Sequence, residues 1–389
     1  MPESELTSHQ RRRLEALCDG LNWDHSEEGF FSGSAQVSDQ VFAVMSYAIL
    51  AGRYPDNDEL REANLRLLSL ERNQLFHMLA PICEESDSLV EIIKEPILFD
   101  LTHTIGYGWL SGIQRVVREV AKRLSVEEKF CGIVFVGDGF IKLSRARLSG
   151  FLENEKKFVK SSNRKLKVTR MRKAIRAFAR SWFPPALLIA ALEMRSSLSS
   201  KREKGKKDGS RCLILPIGGR MILGELLDMK RAAFYDAILA MVNQSGAIVY
   251  DMIPLTHPRF CDPNIVKNHA FYIESLSKFN VLWPISETAG VETVKLLAGE
   301  GFNVNPICLP ATMSSDGDDA MGEKNLPGQN SKELLYVSTL DPRKNHFRLL
   351  LACESLWSEG ESFTLRLIGG KGWRNEGLLR FVDELKAKG

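Results

Sequence analysis

The chain has 389 residues, 44 % hydrophobic and 26 % charged, with a formal net charge of +3. That length suits two or three domains, each large enough to bury a core. The composition excludes a disordered, collagen-like or disulfide-scaffold chain. Seven scattered cysteines with no C-x-x-C pair predict reduced, mostly buried thiols, neither a zinc site nor a disulfide framework.

The first twenty residues are polar and carry Arg11, Arg12 and Arg13, which is not the pattern of a secretory signal. Residues 1–95 are expected to form a helical module. Phe42, Met45, Ile49 and Leu50 fall on one helical face, and a new helix opens after Pro55 with acidic residues in its first turn, as the helix dipole favours. The stretch Ser38 to Leu60, with its Y-x-x-L-A-G-R-Y-P-D core (Tyr47 to Asp56), resembles a helical module appended to bacterial surface-polysaccharide enzymes.

From Pro96 short apolar runs alternate with amphipathic helices, the pattern of an α/β domain with a parallel sheet. Ile97 to Leu101 is the expected first strand. Ile113, Val116, Val117, Val120, Ala121 and Leu124 then give a helix with one buried face. Further strands are expected at Cys131 to Val136, Cys212 to Pro216, Ala247 to Ile253, Val281 to Ile285 and Asn305 to Leu309. This domain covers 96–310, with a basic insertion at 141–211 that holds 21 Lys/Arg against 5 Asp/Glu. Such a block is either a solvated insertion or attracted to an anionic surface. Trp182, Phe183 and the apolar run to Leu192 favour the cytoplasmic leaflet of a membrane. That run is far too short to span one, since a helix needs about 20 residues. No nucleic-acid-binding motif accompanies the charge.

Residues 311–332 read as a linker. The Asp316, Asp318, Asp319 cluster inside it has the look of a metal motif but sits where a linker is expected, so no metal site is assigned. At 333–389 the α/β pattern restarts, with strands Leu334 to Val337 and Thr364 to Ile368 each followed by a helix.

Three motifs carry candidate chemistry. The loop Thr102 to Gly112, with Gly106, Gly108 and Gly112, lies between a strand and a helix whose start is marked by Ser111 and Gln114. Glycines there let a phosphate or sugar approach the backbone N–H groups, although a simple chain reversal needs them too. The segment Tyr250 to Pro258 places Asp251 and His257 at the C-terminal end of a strand, where open α/β sheets gather ligands. This pair could orient and deprotonate a hydroxyl, or Asp251 could cap a turn beside a solvated His257. Third, Ser338 to His346 sets Arg343 and Lys344 at a helix N-terminus, where positive charge is unfavourable unless an anion shares the site. A diphosphate gripped by Arg and Lys resolves that conflict.

The run L-L-Y-V-S-T-L-D-P-R-K-N-H (Leu334 to His346), followed by L-R-L-I-G-G-K-G-W (Leu365 to Trp373), resembles the opening of the donor-binding lobe of glycosyltransferase family 4. Asp100 to Glu119 resembles the first loop and helix of that family's acceptor lobe. Tyr250 to Pro258 and Pro284 to Thr288 match two further stretches in order. The resemblance implies a GT-B-like chain: a Rossmann-like N-terminal lobe, an incomplete second Rossmann-like lobe, and the helical N-terminal region before them. It also implies metal-free, retaining transfer of a hexose such as mannose from a nucleotide diphosphate sugar to a surface-polysaccharide or lipid-linked glycan. Arg343 and Lys344 would then neutralise the departing diphosphate, and Asp251, His257 and Glu287 would line the acceptor side. The protein is expected in the cytoplasm, peripheral on the inner face of the membrane. A lobe ending after two strands, where a complete one has five or six, leads to the expectation of a truncated and poorly active chain. The alternative is a non-catalytic glycan-binding or membrane-scaffold protein. An oxidoreductase is disfavoured, because G-x-G-x-x-G is missing.

Overall fold

A computed structural model describes residues 6–81, 83, 86–106, 112–153, 211–299, 301 and 332–388. By contact density the chain divides into two compact units, 1–248 with 275–283, and 249–274 with 284–389.

The first unit opens with helices α1 (Ser8–Leu21), α2 (Glu27–Ser34), α3 (Asp39–Leu50), α4 (Asn57–Arg66) and α5 (Arg72–Leu79). Asp56 caps α4 in a reciprocal box with Glu59, as the acidic first turn predicts. Helix α3 has no solvent face over its last three turns: every residue from Phe42 to Leu50 is buried, because α1, α4 and α5 pack around it. The buried Arg13 satisfies this crowded region by donating to the carbonyls of Ile49, Leu50, Ser86 and Ser88.

The main sheet contains β1 (Leu89–Lys94), β2 (Ile97–Asp100), β3 (Phe130–Phe135), β4 (Phe140–Lys142), β5 (Cys212–Ile217), β6 (Arg220–Leu223), β7 (Gln244–Val249) and β8 (Val281–Pro284). Their order is β1-β5-β4-β3-β2-β6-β7-β8. The pairs β1–β5, β2–β3, β2–β6 and β6–β7 are parallel, and β4 is antiparallel to β3 and β5. This is the α/β, Rossmann-like class that the sequence predicts.

The segment expected to be helical to residue 95 instead ends in β1, whose apolar residues pair along β5. The register of β1 on β5 continues unchanged into β2 on β6, so β1–β2 and β5–β6 are two long strands bent side by side. The bend falls at Glu95 (φ 51°) and at Gly218 and Gly219 (φ 72° and 77°). A Cβ on Gly219 would lie 2.2 Å from the Pro96 carbonyl oxygen, so only glycine fits there. Strand β7 starts and stops earlier than Ala247 to Ile253. The expected strand Asn305 to Leu309 lies outside the described residues, as does most of the basic insertion.

Between the strands lie α6 (Thr102–Gly106), α7 (Gly112–Leu124), α8 (Arg145–Glu153) and α9 (Met229–Ala240). Val117 and Ala121 of α7 pack on Phe99, Leu101, Leu143 and Phe151, the single buried face read from the spacing. Tyr54 reaches from the N-terminal helices into the sheet and donates its hydroxyl to the Ile214 carbonyl.

The second unit holds α10 (Ile253–Thr256), α11 (Pro263–Leu276) over most of its length, α12 (Glu287–Gly299), and a β-α-β-α run. That run is β9 (Glu333–Val337), α13 (His346–Ser358), β10 (Thr364–Ile368) and α14 (Glu376–Lys388), with β9 and β10 parallel. Among the described residues no helix is long and apolar enough to cross a membrane.

Candidate functional site

In the first unit the C-terminal end of β2 carries a buried charge cluster. Asp100, Glu225 and Arg231 are 0 %, 0 % and 1 % exposed. One nitrogen of Arg231, Nη1, donates to both Asp100 (2.8 Å) and Glu225 (2.7 Å), while Nε meets Asp228 and Nη2 the Leu226 carbonyl. The Tyr235 hydroxyl donates to the same Asp100 oxygen at 2.6 Å, and the Thr102 N–H and hydroxyl donate to the other. Glu225 accepts the backbone N–H groups of His103 (2.6 Å) and Thr104 (2.8 Å) and the Thr104 hydroxyl (2.7 Å). Two carboxylates thus pin the first turn of α6 and the loop entry through donors that would otherwise be orphaned at a helix start.

Burial, then the charge of Asp100, pushes the Glu225 carboxyl up to about 7 against the pull of Arg231 and the Thr104 and His103 donors. Burial also opposes the charge of Arg231, but Asp100 and the other neighbours outweigh it and hold the guanidinium above its usual range. His103 is held below its ordinary value by burial and by Arg231. Asp100, Glu225 and Arg231 are sealed from solvent, so their work is positioning. They hold the segment that leads to the glycine loop. Gly106 and Gly112 are exposed, with nothing within 4 Å of a Cβ built on either; Gly108 and Ser111 lie outside the described residues.

None of Glu225, Arg231 or Tyr235 stands out in the sequence. The one local signal is Asp228, whose side chain caps α9 through the Arg231 N–H at 3.1 Å.

In the second unit Asp251 lies just past β7, exposed, and its Oδ1 accepts the Ile253 N–H at 3.2 Å. His257 is also exposed, with Nδ1 2.9 Å from the Thr256 hydroxyl. Of the two arrangements open at the sequence level, these contacts are those of a turn cap beside a solvated imidazole. A different histidine, His269, meets the Asp251 carbonyl through Nε2 at 2.9 Å, and burial lowers its pKa. Glu287 is exposed in the first turn of α12. No described hydrogen bond or ion pair joins it to Asp251 or Arg343.

Arg343 and Lys344 occupy a single 3-10 turn, Pro342–Lys344, at the C-terminal end of β9. Asn345 follows in the left-handed region (φ 55°) and lends α13 no side-chain cap. Arg343 is partly neutralised by Asp341, whose Oδ1 accepts from its N–H (3.0 Å) and Nε (3.2 Å). The Lys344 ammonium has no ion pair among the described residues. The charge conflict at this helix start is therefore real for Lys344 and relieved for Arg343.

Cys261 joins these pieces. It is buried, and its thiol is raised by burial first, with Arg343 opposing and Asp341 and Asp251 adding to the rise. Asp251 and Arg343 thus both act on the Cys261 thiol, with opposite sign. The Trp373 indole N–H donates to the Phe260 carbonyl at 3.0 Å, tying the loop after β10 to the loop that contains Cys261. Among the described residues no group of acids, histidines and cysteines could hold a metal; Asp316, Asp318 and Asp319 lie outside them.

No protein-family model matches the chain, and no solved structure does. The chain is similar to three sequences from Escherichia coli described as serotype-specific mannosyltransferase WbdA, each 26 % identical over 159 residues. The similarity covers 36 % of this chain and 19 % of theirs. The chain thus spans about a fifth of the length of the curated relatives it matches.

Proposed function

We propose that this chain belongs to a glycosyltransferase that moves a hexose from a nucleotide diphosphate sugar to a surface-polysaccharide or lipid-linked glycan. The observation that carries the reading is the Asp341-Pro-Arg-Lys344 turn. An unneutralised lysine and a half-neutralised arginine stand beside an uncapped helix N-terminus, at the C-terminal end of a parallel strand. An anion with two phosphates is what such a constellation lacks. The distant likeness to sequences described as mannosyltransferases makes mannose the first sugar to try.

In this reading Arg343 and Lys344 stabilise the negative charge that develops on the departing diphosphate, so no metal or other cofactor is required. Asp251 orients the acceptor hydroxyl through the carboxylate oxygen that its turn leaves over, and His257 and Glu287 lie on the acceptor side. Asp100 and Glu225 hold Thr102 to Thr104, the entry to the glycine-containing segment with Gly106, Gly108 and Gly112 that the sugar is proposed to approach, and transfer retains the anomeric configuration. Attachment to an anionic leaflet through 141–211 would bring the enzyme to a lipid-linked acceptor on the cytoplasmic face. Flotation with anionic vesicles tests that part separately.

The experiment is to incubate the full chain with nucleoside diphosphate mannose and glucose, with and without mannoside acceptors, and to follow release of nucleoside diphosphate. Release that rises with acceptor is the expected result. No release from any donor, with the protein folded, removes the proposal for this chain.

A further inference from the structure

The buried cluster at the end of β2 holds more negative charge than it has cations to answer. Asp100 and Glu225 are both fully buried and meet a single nitrogen of Arg231, at 2.8 Å and 2.7 Å. A third carboxylate, the half-exposed Asp228, takes Nε of the same guanidinium. Two sealed carboxylates that share one cation do not both ionise at low cost, so one of them keeps a proton to higher pH. The titratable and charged groups around the pair come from α6 and α9: His103 from the first, and Asp228, Arg231 and Tyr235 from the second.

Glu225 has a place for that proton. The Thr104 hydroxyl lies 2.7 Å from its Oε2 and turns from donor to acceptor by rotation about one bond, so a proton on Oε2 is bonded with no heavy atom moving. The first turn of α6 hangs on this carboxyl. Thr102 is anchored apart from it: its N–H donates to Asp100 at 2.9 Å, and its hydroxyl accepts the Phe135 N–H of β3 at 2.8 Å. The N–H groups of His103 and Thr104 go to Glu225 instead. Helix α6 has five residues, too few to keep its shape alone.

We infer that Glu225 is a proton-operated latch: protonated, it keeps the His103–Thr104 turn closed, and on losing its proton to water it lets that turn open and frees the entry to Gly106. In the closed state burial and the charge of Asp100 hold the proton on Glu225 up to about 7, whereas the solvated carboxyl of the open state releases it near 4.5. By linkage the advantage of the closed state is full below pH 4.5 and is lost as pH rises through 7, so the opening constant rises about tenfold from pH 6 to 8. His103, lowered from 6.5 by burial and by Arg231, acts in the opposite sense and favours opening as pH falls below 6.5. The latch stands independently of the glycosyltransferase reading, because its test needs no substrate.

The test is hydrogen exchange of the segment Thr102–Gly106 in the full chain from pH 6 to 8, corrected for the intrinsic rate at each pH, wild type against Glu225→Gln. The variant cannot titrate at this position and leaves the His103 contribution in place. Opening in the wild type should rise about tenfold relative to the variant, and it should change little with urea below the unfolding transition, because a local opening exposes little surface. The same pH dependence in both proteins overturns the inference. So does exchange of this segment that rises with urea as steeply as that of β7, which makes the opening global. If Glu225→Gln does not fold, the carboxyl carbon of Glu225 in carbon-13-labelled wild type decides. Titration near neutrality alongside urea-insensitive exchange at Thr102–Gly106 upholds the latch, and titration in the ordinary carboxylate range overturns it.

Discussion

The two units handle charge in opposite ways. At the end of β2, two carboxylates and a guanidinium are sealed from water, bonded to one another and to Tyr235, the Leu226 carbonyl and the backbone N–H groups of His103 and Thr104. At the end of β9, Arg343 and Lys344 face outward with one carboxylate between them. Buried ion networks are costly to assemble and more costly to break, which suits a part that must hold a loop in one place. Exposed charges cost little and add little, which suits a part that must exchange a charged ligand. A sealed charge cluster in the first unit thus contrasts with an exposed basic turn in the second, the turn proposed to bind a diphosphate.

The division is broken most sharply at Arg231. Arg231→Met leaves Asp100 and Glu225 buried together without a cation and should cost about 3–5 kcal/mol of stability, read by urea unfolding. A loss below about 1 kcal/mol would mean that the cluster holds nothing. Tyr235→Phe removes one donor to a buried carboxylate and should cost about 1.5–3 kcal/mol. In the second unit, Arg343→Ala with Lys344→Ala should change stability by no more than about 0.5 kcal/mol.

The pH dependence sharpens the same contrast. The Glu225 carboxyl is raised from 4.5 to about 7 in the folded chain, so its contribution is present below pH 4.5 and is lost as pH rises through 7. Glu225→Gln should remove that falling slope, whatever its constant cost. His269 is lowered from 6.5 by burial, so its contribution is present above pH 6.5 and is lost as pH falls through the lowered value. His269→Gln keeps a donor for the Asp251 carbonyl and should flatten the decline on the acid side. Unfolding free energies from pH 4 to 8 read both, and slopes unchanged in either variant would show that the group is not the source.

What was legible in the sequence follows from how far apart the parts lie along the chain. Pro342, Arg343, Lys344 and the helix after them are consecutive, so the basic turn before α13 can be read from a short stretch. The face of α7 is legible for the same reason, as its spacing is local. The positioning cluster is not, because Asp100 and Glu225 meet only when β2 pairs with β6, and Arg231 looks like an ordinary residue in the first turn of a helix. Strand β1 is not legible because its six residues, following a helical region, show no clear period, and only pairing with β5 defines them. Asp251 and His257 flank α10 at its two ends, and the contacts each makes there are local: the Ile253 N–H for Asp251 and the Thr256 hydroxyl for His257.

The central claim is that Arg343 and Lys344 hold a diphosphate. Its most direct measurement is titration of the full chain with nucleoside diphosphates of guanine and uracil, wild type against Arg343→Ala with Lys344→Ala, at matched ionic strength. The account predicts saturable binding of at least one nucleotide by the wild type and at least tenfold weaker binding by the variant, with the two melting temperatures alike. Equal affinity in both proteins, or no binding by a folded wild type, would contradict it.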